Sequence, residues 1–399
     1  MESLKELYKI GNGPSSSHTM GPKRAAEQFA ERCRVVDAYR VTLYGSLAAT
    51  GKGHLTDVAI LSVLEPIAPA EIVWKPEVVL PFHPNGMLFE GLKVGKVTDS
   101  WTIYSIGGGA LANEATRLET PQSLYPLSTI SEIKEWCYRE GKTYWEYVSD
   151  CEGPEIWEFL DRIWTVMCET IDRGLNNDGV LPGGLKVARK ASTYWVKSKS
   201  YTDSLSSRAK IYAYALATSE ENASGGTVVT APTCGSSGVM PAVLYHLATS
   251  RNFLRIRILR ALATAGLFGN VAKTNSSISG AEVGCQGEVG VACAMAAAAA
   301  CQLFGGTPSQ IEYAAEMGLE HHLGLTCDPV CGLVQVPCIE RNAIAAARAF
   351  DANAYATLSD GSHMVSFDKV VEVMNETGHA LPSLYRETSE GGLAKRFKR

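Results

Sequence analysis

Residues 280–304 read GAEVGCQGEVGVACAMAAAAACQLF. The part from Val289 to Phe304 is alanine-rich, too short for a bilayer and bounded by glycines, which predicts a helix buried inside a helical core. Working outward, apolar residues recur every three or four positions on both sides of it. EIWEFLDRIWTVMCETIDRGL (155–175) stops in the turn Asn176-Asn177-Asp178-Gly179. SLSSRAKIYAYALATSEEN, SGVMPAVLYHLATS, RIRILRALATAGLFGNV, SQIEYAAEMGLEHHLGL and PCIERNAIAAARAFDANAYA follow, separated by glycine-rich breaks. Residues 151–399 therefore read as an all-α domain.

The beginning of the chain has another texture. KRAAEQFAERC has helical spacing after Gly21-Pro22, whereas VVDAYRVTLYG, EIVWKPEVVLPF and KVTDSWTIYSIGG read as strands, the last closed by glycines 107–109. Residues 1–120 are expected to form an α+β domain, and 121–150 a connection carrying some helix.

Composition narrows the function. The 399 residues are 46% apolar and 20% charged, with a net charge of −5 and no basic run suited to a phosphate backbone. Nucleic acid is not an expected partner. The start, MESLKELYKIGNGPSSSHT, lacks a signal pattern, and no stretch suits a membrane, so a cytoplasmic protein is expected. In a reducing compartment the eleven cysteines need a reason other than disulfides.

Four cysteines fall in two loops. Cys285 lies between Gly284 and Gly287, ahead of the alanine helix, where free N–H groups favour a thiolate. Cys327, Cys331 and Cys338 lie in HHLGLTCDPVCGLVQVPCIERNA (321–343), an ordered loop by virtue of Pro329 and Pro337. Structural zinc prefers two close ligand pairs, yet 41 residues separate Cys285 from Cys327. Iron–sulfur clusters tolerate such separation. Spacing alone leaves both metals, and simply buried thiols, in play. Cys293 and Cys301 on the alanine helix, and Cys33, Cys137, Cys151 and Cys168, read as packing residues.

Polar loops framed by glycine supply the other candidates. GNGPSSSHTMGP (11–22) offers Ser15, Ser16, Ser17 and Thr19 to an anion, with His18 able to exchange a proton; a capping loop with a surface histidine is the plainer alternative. GSLAATGKGHLTD (45–57) carries His54, TAPTCGSSGVMPA (230–242) carries Thr233, and VAKTNSSISGAEVG (271–284) carries Lys273, Asn275 and Ser276 before Cys285.

GNGPSSSHTMGPKRAA, LYGSLAATGKGHLTD, TAPTCGSSGVMPAV, SISGAEVGCQGEVG, LGLTCDPVCGLVQVPCIERN and YRETSEGGLA, in this order across nearly the whole chain, resemble the bacterial iron–sulfur L-serine dehydratases. The resemblance implies β-type and α-type domains fused in one chain. It implies a 4Fe–4S cluster on Cys285, Cys327 and Cys338 in the all-α domain, with one iron left open. Cys331 stands where glycine is expected in the family, and the chain ends KRFKR without a cysteine to close the fourth iron.

Implied too is the β-elimination of water from L-serine to pyruvate and ammonia. His18 is the only titratable residue between Asn12 and Met20 and, with the resemblance, is the expected base; His54 is its competitor. Ser15, Ser16, Ser17, Thr19, Thr233, Asn275 and Ser276 are the expected substrate contacts. A homodimer is expected. L-Cysteine desulfhydration or L-threonine dehydration by the same cluster, a non-catalytic iron–sulfur sensor, and a pyridoxal phosphate enzyme using Lys273 are the alternatives.

Overall fold

The computed structural model describes residues 1–113 and 123–397, so the expected boundary at 120 lies outside the described residues. An N-terminal region contains a mixed five-stranded sheet of order β3-β2-β4-β5-β6. Its strands are β2 (Ala38–Tyr44), β3 (Ala70–Lys75), β4 (Gly86–Lys93), β5 (Lys96–Ile106) and β6 (Ala110–Ala112). Only β2 and β3 run parallel; β4 is a strand that the sequence reading passed over. Tyr39, Val41 and Leu43 alternate inward on β2 and meet Phe29 and Ala26 of the helix Gly21–Arg32, with Leu47, Ile60, Leu64 and Phe89.

The remainder is largely helical, as the periodicity predicts. The helix Val291–Leu303 lies at its centre, with all its residues buried except Gln302. It packs against the helices Val239–Arg251, Arg255–Asn275, Pro308–Glu320 and Cys338–Leu358. Alanine permits this crowding. A Cβ on Gly318 would stand 2.9 Å from Ala294 Cα, so the neighbouring backbone passes where any side chain would block it. Among the described residues no helix is long and apolar enough to cross a membrane.

Three expectations need adjustment. First, β7 (Thr227–Val229) interrupts the all-α region, pairing antiparallel with β1 (Ile10–Asn12). The first residues of the chain belong to the helical core: Met1, Leu4, Leu7 and Tyr8 are buried there, and Tyr8 Oη donates to the Leu262 carbonyl at 3.0 Å. Second, the stretch expected as a connection with some helix does carry the helices Ile130–Glu140 and Tyr144–Glu152, but their Ile133, Cys137, Tyr144 and Val148 enter the same core instead of merely linking two domains. Third, the loop around His54 is mostly helix, Gly45–Thr50 and Thr56–Leu64, parted by residues 51–55; burial of Leu47, Ile60 and Leu64 against the sheet holds these short helices.

Candidate active site

The segment from Gly13 to Met20 leads from the helical body to the sheet region. Asn222 Nδ2 holds the Pro14 carbonyl at 2.8 Å, and Ser15 Oγ accepts from the His18 N–H at 3.1 Å. Thr19 Oγ1 donates to the His54 carbonyl at 2.7 Å, and Thr56 Oγ1 to the His18 carbonyl at 2.5 Å. These bonds carry His18 into a fully buried position, which overturns the surface-histidine alternative. Its Nδ1 lies 2.9 Å from Ser17 Oγ and its Nε2 3.3 Å from Ser46 Oγ. The His54 ring stands edge-on to it, 4.6 Å between centroids.

The C-terminal segment completes the group. Cys327 N–H donates to the Tyr385 carbonyl at 2.8 Å, and Glu387 N–H to the Cys327 carbonyl at 2.7 Å. The Glu387 carboxyl thereby reaches 3.6 Å from His18 Nδ1, and its own carbonyl accepts from Ser46 Oγ at 3.0 Å. One short segment thus joins a cysteine loop to the histidine loop.

The three thiols come from separate elements. Cys285 caps the turn Gln286–Gly290 that leads into the central helix, Cys338 is the first residue of Cys338–Leu358, and Cys327 lies in the loop between. All are free thiols, and Cys327 feels the charge of both Cys285 and Cys338. Arg341, one turn after Cys338, places its positive charge near Cys285 and donates from Nη1 to the Thr326 carbonyl at 2.6 Å. Burial pushes the Cys285 thiol up to about 11, although Arg341 pulls the other way, and raises Cys327 and Cys338 well above the ordinary range. Cys331 is exposed, at φ 56 in a turn. That left-handed conformation explains the expectation of glycine there.

Two carboxyls, the half-buried Glu288 and the buried Glu387, flank the thiols. Glu288 Oε1 accepts from Thr233 Oγ1 at 2.9 Å, and burial raises this carboxyl to about 7. Glu387 is raised well above the carboxylate range by burial and then by Glu288. Burial acts oppositely on the imidazoles: His54 falls to about 3, and His18, also depressed by His54, falls well below 6.5. Both rings are neutral at pH 7.

A cleft of about 430 Å³ opens beside Ser46, lined by Gly45, Pro84, Glu282, His379 and Arg386. Arg386 Nε is buried without a partner. His83 Nε2 lies 3.4 Å from Glu282 Oε1, and Ser277 Oγ also bonds Glu282.

The expected residues divide accordingly. His18, His54, Ser15, Ser17, Thr19, Thr233 and the thiols of 285, 327 and 338 belong to this network, and Ser16 is buried in the same turn. Asn275 Nδ2 instead donates to the Ser128 carbonyl at 2.7 Å, and Ser276 Oγ bonds Asn375 Oδ1 at 3.3 Å. Lys273 is paired with Glu2 at 2.7 Å. The sequence reading missed Glu288, Glu387, Arg341 and Ser46. A carboxylate at 288 inside an apolar glycine-framed run, and an arginine three residues beyond Cys338, were the available signals.

The thiols suit a cluster better than a single ion. Zinc holds sulfurs at about 2.3 Å and so within about 4 Å of one another. Among the described residues, the one group spaced closely enough to share an ion is His18, His54 and Glu387, not the cysteines. A Cβ on Gly280 would stand 3.1 Å from Cys327 Sγ and 2.9 Å from Glu288 Oε2, so the absent side chain leaves the cradle open. A cluster on three thiolates is anionic, and Arg341 supplies the matching charge. The donor set fits a 4Fe–4S group.

Residues 95–394 match the serine dehydratase alpha chain family, and residues 3–75 match the serine dehydratase beta chain family. The chain belongs to the serine dehydratase family. It is 42% identical to an L-serine dehydratase of Streptomyces coelicolor, over 98% of both chains. It is also 42% identical to L-serine dehydratase 1 of Escherichia coli, over 99% of each, and 37% identical to an L-serine dehydratase of Helicobacter pylori. The first two alignments run over 449 and 451 positions against 399 residues here, so each of those relatives carries at least 50 residues without a counterpart.

Proposed function

We propose that this protein dehydrates L-serine to pyruvate and ammonia, with a 4Fe–4S cluster held by Cys285, Cys327 and Cys338. The observation that carries the reading is the bridge at Glu387, which bonds the Cys327 backbone while facing His18 Nδ1 at 3.6 Å. It brings a proton acceptor from the β-type region beside the thiols of the α-type region. When bound, the cluster supplies a Lewis-acidic iron for the substrate's leaving oxygen.

The chain's own residues supply the rest. Burial keeps His18 neutral, so a ring nitrogen can take the α-proton, and Ser17 and Ser46 hold the ring's orientation. Glu387, kept protonated by burial and by Glu288, can give its proton to the departing hydroxyl. Arg386 in the cleft, with the hydroxyls of Ser15 and Ser16, offers donors for the substrate carboxylate. Aminoacrylate then tautomerises to an imine, which water hydrolyses. Lys273 already serves the N-terminal arm, which counts against the pyridoxal alternative.

The test is anaerobic reconstitution with iron and sulfide, followed by assay of keto acid from L-serine, L-threonine and L-cysteine. Serine is expected to give the highest kcat/KM. A reconstituted protein that holds iron yet forms no keto acid would favour the sensor alternative; faster turnover of cysteine would reassign the substrate.

A further inference from the structure

The same centre contains a second set of ligand atoms, of a different chemical kind from the thiols. His18, His54 and Glu387 are all buried and offer one atom each, the three lying within 4.8 Å of one another. Two atoms on these side chains have no hydrogen-bond partner: His54 Nε2 and Glu387 Oε2. Leaving such groups buried and unpaired costs free energy that a bound ion would recover. Zinc bonded to nitrogen or oxygen at about 2.0–2.2 Å keeps tetrahedral ligands roughly 3.5 Å apart. His18 Nδ1 and Glu387 Oε1 are already 3.6 Å apart.

The electrostatics point the same way. The second carboxyl, Glu288, disfavours ionisation of Glu387, while the centre's guanidinium, Arg341, acts on Glu288 and the cysteines and donates to the Thr326 carbonyl. A dication beside Glu387 would offset this effect. Two imidazoles, one carboxylate and a fourth position open to solvent or substrate form a donor set suited to zinc and related dications.

We propose that His18, His54 and Glu387 form a binding site for one zinc-class dication, separate from the three cysteines. Its occupation takes the lone pair that His18 needs as a base and so switches turnover off. The binding claim stands apart from the dehydration reading; only its effect on turnover rests on that reading.

Protein reconstituted anaerobically with iron and sulfide is passed over a chelating resin and titrated with zinc chloride. Zinc stoichiometry, zinc-edge X-ray absorption and turnover are then measured. The expected result is one zinc per chain with a nitrogen/oxygen shell near 2.0–2.1 Å and no sulfur shell, accompanied by loss of turnover. Glu387→Gln and His54→Ala should weaken binding at least about 100-fold with iron content unchanged. Cys331→Ala should bind zinc as the parent does. A sulfur shell near 2.3 Å in the parent protein would overturn the proposal whether or not the variants fold. So would undiminished zinc binding in both ligand variants. Intact zinc binding in a preparation inactive before zinc is added would instead sustain this site and count against the dehydration reading.

Discussion

The Glu387 N–H donates to the Cys327 carbonyl at 2.7 Å, which fixes the last segment of the chain against a cysteine loop formed 60 residues earlier. The Glu387 carboxyl then faces His18, 369 residues away in sequence. The arrangement assigns separate tasks to groups that sequence distance gives no reason to connect.

If His18 is the base, His18→Ala should lower kcat about 10²–10⁴-fold while iron content is preserved. His54→Ala should cost less, because its ring supports His18 from the side. Near-normal turnover in His18→Ala combined with loss in His54→Ala would reverse the assignment. Burial depresses His18 well below 6.5, so the ring stays neutral through mild acid. kcat/KM should therefore show no decline between pH 7.5 and 6; a decline centred near 6.5 would contradict a buried base.

Gly280→Ala tests the cradle. Gly280 opens the short helix Gly280–Val283 without a positive φ, so alanine suits the backbone there. The new methyl would stand 2.9 Å from Glu288 Oε2 and 3.1 Å from Cys327 Sγ. Reconstituted iron and turnover should both fall, turnover by at least about tenfold, with helix content by circular dichroism unchanged. Full iron incorporation would mean that the cradle has room to spare.

Cys331 offers the opposite outcome. Its side chain is exposed and its φ is 56, a conformation costing a non-glycine residue about 1–2 kcal/mol. Cys331→Gly should retain iron and turnover and gain up to about 1 kcal/mol in resistance to urea, after the greater freedom of glycine in the unfolded chain is allowed for. Loss of iron would make Cys331 a ligand.

Away from the site, Glu316 is buried, and desolvation first, then Glu320 and Glu312, raise its carboxyl to about 7. A raised acid binds its proton more tightly when folded. Its stabilising effect is complete below the unfolded value near 4.5 and is lost as pH rises through 7. Glu316→Gln should therefore gain stability relative to the parent between pH 5 and pH 8, on the order of 2 kcal/mol. Urea unfolding at the two pH values checks it, and a pH-independent difference would show that Glu316 titrates normally.

Much of this could be read in the sequence, for identifiable reasons. The alanine run announced a buried helix because alanine tolerates close helix packing. Glycine framing marked Cys285, and His18 stood alone among hydroxyls. The β4 strand escaped because GMLFEGLK carries two glycines and no clean alternation. The arm Met1–Asn12 escaped because short apolar residues in a polar stretch do not say which core they join. Glu288, Glu387 and Arg341 are ordinary charged residues locally; only burial and convergence from distant elements give them a role. Asn275 and Ser276 show the converse, since nearness in sequence to Cys285 did not bring their side chains into the network: Asn275 caps back onto Val271 and Ser128.

Cys285, Cys327 and Cys338 are proposed to hold a cluster with one iron free for the substrate. Mössbauer spectroscopy of protein reconstituted with ⁵⁷Fe, with and without L-serine, measures this directly. The account predicts four irons per chain, lost when Cys285, Cys327 or Cys338 becomes alanine, and one iron signal that shifts when L-serine is added. Four equivalent irons indifferent to L-serine, or iron retained in all three variants, would contradict it.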